Sequence, residues 1–303
     1  MSETANSAPP PLVSEPPAAK PEPAPLPWAA IAWFAALLAL CYYPVLAKLA
    51  HDWAHDDDMG HGFFVPAVAF YIAWQRRDSL LRLQLRPAWW GLALIAWGAL
   101  QLTAATLGVE LFLARTAILV TLAGILLTLG GMTLLRALLF PLFLMVFMVP
   151  IPAIIYNQIT FPLQLLASSV AETALSLLGI PVLREGNVLE LPSQKLSVVE
   201  ACSGIRSLLS LSFLSLVYAY FFDQKIWMRP VLLLATVPIA ITANAARVTI
   251  TGILSEWKPE LAKGFFHDFE GWVLFMVALS ALVAVHQLIH RLWLATQRRR
   301  GDA

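Results

Sequence analysis

The chain has 303 residues, of which 59% are hydrophobic and 13% are charged, and its mean hydropathy is +0.72. These values exclude an ordinary soluble domain and indicate an integral membrane protein, with the lipid bilayer as its first partner. A formal net charge of +1 supplies no general basic surface, so we expect no nucleic-acid partner.

The two ends of the chain differ from its middle. Nine of the first 27 residues are proline and few are apolar. Residues 1–27 therefore cannot bury a core and are predicted to be a disordered cytoplasmic tail. Residues 28–290 are predicted to form one transmembrane domain that carries any catalytic site. Residues 291–303 are predicted to be a basic cytoplasmic tail, in which Arg298–Arg300 set the topology.

The fold class predicted for the middle of the chain is an all-α polytopic membrane protein. Crossing a hydrocarbon core takes about 20 helical residues, and apolar stretches of about that length recur along the chain. We predict about eight transmembrane helices, over residues 28–47, 62–74, 88–107, 111–130, 137–156, 205–222, 230–254 and 272–289.

Two segments between the fifth and sixth predicted helices have a different character. Residues 160–178 are apolar but contain Pro162, Gln164 and Glu172, and they are predicted to form an amphipathic helix in the membrane interface. Residues 182–199 alternate weakly in polarity around Pro192-Ser193. This alternation predicts a small external hairpin.

The distribution of Lys and Arg among the loops predicts the orientation. With the N-terminus inside, twelve of the twenty basic residues lie on the cytoplasmic side, as the positive-inside rule requires. Both termini are then cytoplasmic. The starts of the sixth and eighth predicted helices, and the last turns of the seventh, then share the outer face.

A cysteine lies at this outer face. Cys202, in Glu200-Ala-Cys-Ser-Gly-Ile-Arg206, directly precedes the sixth predicted helix, where unpaired backbone N–H groups and the helix dipole favour a thiolate. Arg206 lies one turn further on and would favour the thiolate too. The alternative is that Cys202 only packs. Cys41, inside the first predicted helix, is interpreted as a packing residue, and we expect no disulfide between the two.

An arginine follows within the seventh predicted helix. An arginine in a membrane helix costs at least about 2.5 kcal/mol on insertion scales and normally faces a polar interior. Asn244 and Thr251 flank Arg247 at one turn on either side and form a polar stripe with it. Arg247 could stabilise an oxyanion or bind a substrate carboxylate. The alternative is a structural arginine paired with Glu200, Glu256 or a carbonyl.

The third candidate is His267, which lies just before the eighth predicted helix among aromatic residues typical of a membrane interface. An imidazole exchanges protons near neutral pH. The alternative is a histidine that only hydrogen-bonds lipid headgroups. His286 and His290, at the far end of the same helix, are predicted to be incidental.

A further polar cluster covers residues 51–62 and contains three histidines and four aspartates. Such residues can bind a divalent metal, but the spacing is irregular and no H-E-x-x-H pattern occurs. We predict no metal ion and no other cofactor. Asp57 and His61 are instead predicted to shape the mouth of the site.

At these motifs the chain resembles the exosortase and archaeosortase family. The matching segments are Glu200-Ala-Cys-Ser-Gly-Ile-Arg206, Asn244-Ala-Ala-Arg247-Val, His267-Asp-Phe-Glu-Gly-Trp272 and Asp57-Asp-Met-Gly-His61-Gly-Phe-Phe-Val-Pro66. In the last of these, residues 58–60 depart from the Asn-Tyr-Ser that is usual in the family, which affects the roles expected in that loop.

The resemblance implies a membrane cysteine transpeptidase of a bacterial inner membrane that recognises C-terminal sorting signals, of the Pro-Glu-Pro type, on membrane-anchored exported proteins. It implies that Cys202, Arg247 and His267 are catalytic and that a thioester on Cys202 is resolved by water or by an acceptor, such as a lipid or a glycan. Arg206, Asn244, Glu200 and Ser203 are expected to support these three residues or bind substrate.

Two other classes remain open on the residues alone. One is a polytopic transporter or lipid-linked saccharide handling protein, in which Arg247 and the histidines bind an anionic headgroup while Cys202 only packs. The other is a membrane scaffold whose polar residues stabilise helix packing.

Overall fold

The computed structural model describes residues 28–198, 204–258 and 265–301, and these are predominantly helical. The predicted all-α class is confirmed. The tail over residues 1–27 lies outside the described residues.

The chain enters the described part through two helices joined by a sharp bend. Helix α1 (Trp28–Cys41) and helix α2 (Tyr43–His55) meet at 72° around Tyr42, because Pro44 fits the first turn of a helix but cannot continue the preceding one. The Tyr42 hydroxyl lies 2.7 Å from Thr121 Oγ1 and donates to the Ala117 carbonyl at 3.1 Å. These bonds satisfy a polar group that is 3% exposed among apolar side chains.

A short 3-10 segment, Asp57–Phe63, turns the chain into helix α3 (Phe64–Gln75), which is followed by helix α4 (Arg77–Leu81). The Asp56 carboxylate starts the turn by accepting from the Asp58 N–H at 2.9 Å. Such a side-chain cap satisfies a backbone donor at the start of a helical segment.

Helices α5 (Trp90–Leu107) and α6 (Leu111–Ala137) form a closely packed pair with small residues at the contact. A Cβ on Gly98 would lie 2.2 Å from Thr121 Oγ1, and one on Gly124 would lie 2.8 Å from the Ile95 backbone nitrogen. Small residues allow two membrane helices to approach until their backbones touch, which stabilises them through van der Waals contact. The Glu110 carboxylate caps α6 by accepting from the Phe112 and Leu113 N–H groups.

Prolines break the next helical region. Helix α7 (Leu139–Leu144) and a 3-10 segment (Met145–Met148) end before Pro150 and Pro152, and helix α8 (Ala153–Leu177) leaves at 83°. Pro152 has no N–H to offer the Met148 carbonyl, which accepts from Trp53 Nε1 at 3.0 Å instead. The continuous helix predicted over residues 137–156 is therefore wrong. The segment predicted as an interfacial helix over residues 160–178 belongs to the longer α8.

The predicted hairpin is present and is larger than expected. Strands β1 (Leu183–Glu185), β2 (Val188–Glu190) and β3 (Lys195–Ser197) form an antiparallel sheet in that order. Gly186, with φ of 65°, makes the first turn possible. Leu189 and Leu196 pair across β2 and β3 and pack, fully or almost fully buried, against α8 and the helix that contains Val248.

Three long helices follow, α9 (Gly204–Phe222), α10 (Met228–Trp257) and α11 (Phe265–Gly301). They pack together around Leu211, Leu232, Ala240, Ala278 and Leu282. The first turns of α9 lie near the last turns of α10 and the start of α11, and we name this the Arg247 end. The last turn of α9 lies near the start of α10, and we name this the Asp223 end.

The number of spans differs from the prediction. In the described residues, four helices are long and apolar enough to cross a membrane, and the count rises to six if each bent pair is one span. Helix α3, with 12 residues, is too short to cross about 30 Å of hydrocarbon alone. The predicted count of about eight is not confirmed. The chain has membrane-spanning helices and is an integral membrane protein.

Candidate functional site at the Arg247 end

The predicted site residues fall into two groups. Arg247, Asn244, Arg206 and His61 have described side chains. The predictions for Glu200, Cys202 and Ser203 lie outside the described residues, because the structure resumes at Gly204. His267 is in the first turn of α11 and Asp57 begins the first 3-10 segment, while their side chains also lie outside the described part.

Arg247 lies at the meeting point of α9, α10 and α11. Its guanidinium is in contact with α11 at Gly271, where an added Cβ would lie 2.9 Å from Arg247 Cζ and 2.9 Å from Nη2. A cavity of about 20 Å³, enough for about one water molecule, adjoins the guanidinium and is also lined by Ser207 of α9 and Asn244. Because Gly271 has no side chain, α11 leaves room for a cation between helices.

An acid from α11 accompanies this arginine. The carboxylate of Glu270 interacts electrostatically with Arg247 and accepts from Thr251 Oγ1 at 3.2 Å. Thr251 is 1% exposed. Thr251 and Arg247 of the predicted polar stripe on α10 therefore both interact with Glu270 of α11, an acid that was given no role in the sequence analysis. Glu256, considered as a partner of Arg247, instead accepts from the backbone N–H and the hydroxyl of Ser193 at 2.9 Å and 2.6 Å.

The small sheet is attached to the same end of α10. Besides the Ser193 contacts, Gln194 Nε2 donates to Ser255 Oγ at 2.7 Å. Ser255 is fully buried and its hydroxyl donates to the Thr251 carbonyl. The turn between β2 and β3 is thus fixed to the last turns of α10. Strand β3 ends at Ser197, and Val198 packs in the same apolar cluster as Val248, the residue after Arg247.

Arg206 forms an ion pair that the sequence did not predict. Its Nε lies 3.1 Å from Asp58 Oδ1, and the other carboxylate oxygen of Asp58 accepts from the Tyr156 hydroxyl at 2.6 Å. One carboxylate therefore joins the 3-10 turn, α8 and the first turn of α9. Asp58 lies within residues 58–60, which depart from the family pattern, and its carboxylate links this stretch to the first turn of α9.

His61 lies beside the same helix. Its Nε2 is 3.1 Å from the Phe147 carbonyl, to which it donates, and its Nδ1 is 3.5 Å from Ser210 Oγ. Burial lowers the pKa of His61 below its ordinary value, and the Phe147 and Asp58 backbone hydrogen bonds oppose that shift only in part. His61 is therefore neutral near pH 7 and lies between the Phe147 carbonyl and Ser210 of α9.

Helix α9 contacts two polar groups, one around Asp58 and His61 and the other around Arg247. Arg206 and Ser210 face the 3-10 turn, whereas Ser207 and Leu211 line the cavity beside Arg247. The first two turns of α9 therefore contact both groups.

A larger cavity of about 560 Å³ lies alongside α8, between Tyr156 and Asn187, and its walls contain several amide and hydroxyl groups.

One group of described residues has the ligand types and spacing for a metal ion, and it lies at the Asp223 end. The candidate ligand atoms of Asp223, His286 and His290 are all within 4.8 Å of one another. His286 Nε2 and His290 Nδ1 lie 3.1 Å and 3.3 Å from Asp223 Oδ2. Lys225 Nζ lies 3.3 Å from His290 Nδ1 and already places a cation there. We assign no metal to this group.

The contacts of Asp223 show that His286 and His290 have a structural role, contrary to the prediction that they are incidental. Burial acts to raise the pKa of Asp223, but the hydrogen bonds from the Lys225 N–H, His286 and His290 together hold it below its ordinary value. Because Tyr218 also donates to His286 Nδ1 at 3.0 Å, the network joins α9, α11 and the loop between α9 and α10.

Comparisons with known proteins agree with the motifs. The family model described as transmembrane exosortase (Exosortase_EpsH) matches residues 53–284, which is more than three quarters of the chain. The matched region contains Cys202, Arg247 and His267. No curated protein and no solved structure matches.

Proposed function

Because the chain belongs to the transmembrane exosortase family, we propose that it is a membrane cysteine peptidase or transpeptidase that cleaves C-terminal sorting signals of exported proteins. The signals would be of the Pro-Glu-Pro type. The substrates would be anchored by their own membrane helix.

The observation that carries this proposal is the position of the Arg247 guanidinium. It lies against α11 four residues after His267, and it shares a cavity with Ser207, five residues after Cys202. Helix α9, which begins just after Cys202, and helix α11, whose first turn contains His267, therefore both reach the Arg247 guanidinium. This convergence supports a shared site for the three groups, as the sequence predicts.

The proposed reaction has two steps. The Cys202 thiolate attacks the carbonyl carbon of the scissile peptide bond, and Arg247 stabilises the negative oxygen of the tetrahedral intermediate. The carbon–nitrogen bond then breaks, His267 gives a proton to the leaving amine, and a thioester remains on Cys202. Water or an acceptor attacks the thioester, passes its proton to His267, and releases the thiolate.

Supporting roles are proposed for the residues around these three. Arg206 and Asp58 would hold the first turn of α9, and therefore the approach to Cys202, in one position. Asn244 would orient a polar group in the cavity beside Arg247, while Glu200, Ser203, Asp57 and His61 would shape the substrate entry. These residues would affect the rate because even a small displacement of the reacting atoms slows a reaction that depends on their alignment.

We also propose the orientation. The basic residues favour cytoplasmic termini and a site on the opposite face, and the family match favours the periplasmic side of a bacterial inner membrane. An even number of crossings, such as the six reached when each bent pair is one span, would place both termini on one side. A substrate anchored by its own helix would then present its signal at a fixed depth, since the bilayer sets its height.

The two cysteines provide the test of this function. Cys202→Ala should abolish shortening of a tagged sorting-signal substrate. Cys41→Ala should leave it unchanged, because Cys41 is an exposed free thiol on α1 and not the packing residue that the sequence predicted. Both variants should reach normal abundance in the membrane. Processing by Cys202→Ala at the wild-type rate would reject the proposal and favour a transporter or headgroup-binding protein.

A further inference from the structure

Three arginines from separate parts of the chain line one cavity at the Asp223 end. Arg76 follows α3, Arg136 lies in the last turn of α6 and Arg229 lies in the first turn of α10. The cavity measures about 660 Å³, and much of the remaining wall is apolar, with Leu139, Phe140, Phe143, Leu216, Ile226 and Leu233. It is separate from the candidate catalytic site.

An aromatic stack holds two of these guanidinium groups near each other. The rings of Phe140 and Tyr220 stack at 4.8 Å between centroids. Arg229 Cζ lies 4.5 Å from the Phe140 centroid and 5.1 Å from that of Tyr220, and Arg76 Cζ lies 5.2 Å from Tyr220. Cation–π contact of this kind positions a guanidinium without neutralising its charge.

Acidic side chains of the described residues do not neutralise the positive charge of these three arginines. Within residues 28–198, 204–258 and 265–301, no Asp or Glu forms an ion pair with any of them. The nearby acids are engaged elsewhere, since Asp78 pairs with Arg77 and Asp223 with His286 and His290.

One of the arginines also has an unused donor. In the same described residues, Arg229 Nε is buried and has no hydrogen-bond partner. Burial of an unpaired donor on a charged group is costly, and an anion that accepts from it removes that cost. The geometry therefore favours a negatively charged ligand with several acceptor oxygens, such as a phosphate.

The walls indicate what the phosphate is attached to. Leu139 is 57% exposed and Ile226 is 75% exposed, so the cavity opens beside apolar surface. In a membrane protein such surface faces acyl chains, and basic pockets between membrane helices suit anionic headgroups. We propose that this cavity binds a phospholipid with an anionic headgroup. Its phosphate lies among Arg76, Arg136 and Arg229, and an acyl chain runs along Leu139 and Phe143.

The test uses the purified, lipid-depleted full chain in a neutral detergent. Short-chain phosphatidylglycerol and phosphatidylcholine are titrated separately, and binding is measured by native mass spectrometry and by the shift in thermal unfolding midpoint. Phosphatidylglycerol should bind at least about tenfold more tightly, and Arg229→Gln should remove about tenfold of that affinity. Arg77→Gln is the matched control, because Arg77 pairs with Asp78 and lies over Trp74 at 5.1 Å.

Several results would overturn the inference. Equal binding of the two lipids would show that the headgroup charge is not recognised. A midpoint shift of the same size with inorganic phosphate alone would identify a soluble anion instead of a lipid. An equal loss in Arg77→Gln and Arg229→Gln would indicate a general charge effect. If Arg229→Gln does not fold, the exposed Arg136 replaces it, and an Arg136→Gln variant that keeps full lipid selectivity contradicts the proposal.

Discussion

The contact between Gly271 and Arg247 provides a substitution that should separate activity from stability. Gly271→Ala adds one methyl group, which would lie 2.9 Å from Arg247 Cζ, whereas ordinary van der Waals contact begins at 3.4 Å. The guanidinium must therefore withdraw by about 0.5 Å, the difference between these two distances. The side chain can do so because the contact is at its flexible end.

The expected effects on stability and rate have opposite signs. Alanine is favoured over glycine within a helix by about 1 kcal/mol, so the thermal unfolding midpoint should stay the same or rise. A misplacement of about 1 Å can cost about a hundredfold in rate, so a shift of about half that size should slow processing about tenfold. This corresponds to about 1.4 kcal/mol of lost transition-state stabilisation.

The assay is the initial rate of shortening of a tagged sorting-signal substrate in membranes with matched enzyme abundance. Gly252→Ala is the control, because its Cβ would lie 3.0 Å from Leu175 Cδ1, a similarly close contact but with an apolar side chain. It should process at the wild-type rate. Wild-type processing by Gly271→Ala, or a fall in rate matched by a fall in unfolding midpoint, would show that the position of the Arg247 guanidinium does not limit the rate.

Three further predictions concern other parts of the molecule. Arg247→Lys should lower processing at least about a hundredfold with normal abundance, because an ammonium does not reproduce a planar guanidinium; near-normal turnover would reduce Arg247 to a charge partner. Gly124→Val should lower the free energy of unfolding by about 2 kcal/mol, since even its Cβ would lie 2.8 Å from the Ile95 backbone nitrogen. Gly60→Ala is the control, because a Cβ there would have no atom within 4 Å. Equal thermal unfolding midpoints of these two variants would contradict the close packing of α5 against α6. Because the pKa of His61 is lowered in the folded state, this residue contributes stability that is present above the unfolded pKa, about 6.5, and is lost as the pH falls through the folded pKa. The thermal unfolding midpoint of His61→Gln should therefore fall less than that of the wild type between about pH 7.5 and 5.5. An equal fall in both proteins would contradict the assignment.

The class of fold and the polar stripe of α10 could be predicted because they depend on local patterns. Apolar stretches predict membrane helices, and the alternation in residues 182–199 predicted strands where the sheet is found. Asn244, Arg247 and Thr251 follow from helical periodicity alone. Periodicity also explains why Thr251 and Arg247 meet the same neighbour, Glu270.

The remaining features depend on contacts between distant residues, which one sequence does not specify. Asp58 pairs with Arg206 across 148 positions, and Tyr156 joins them from α8. The bend before α8 could have been anticipated from Pro150 and Pro152, but the Trp53 hydrogen bond to the Met148 carbonyl at that bend joins residues 95 positions apart. Gly271 gave no chemical indication of its role, since a glycine matters here only for the side chain it lacks.

The proposed function depends on attack of Cys202 on a peptide carbonyl next to the Arg247 guanidinium. The most direct measurement is mass spectrometry of the Cys202 peptide after the full chain has been quenched in acid during turnover of a sorting-signal substrate. We expect a substrate-derived thioester on Cys202 that hydroxylamine removes and that is strongly reduced in Arg247→Lys. Continued cleavage with an unmodified Cys202 thiol, or an adduct of equal yield in Arg247→Lys, would contradict it.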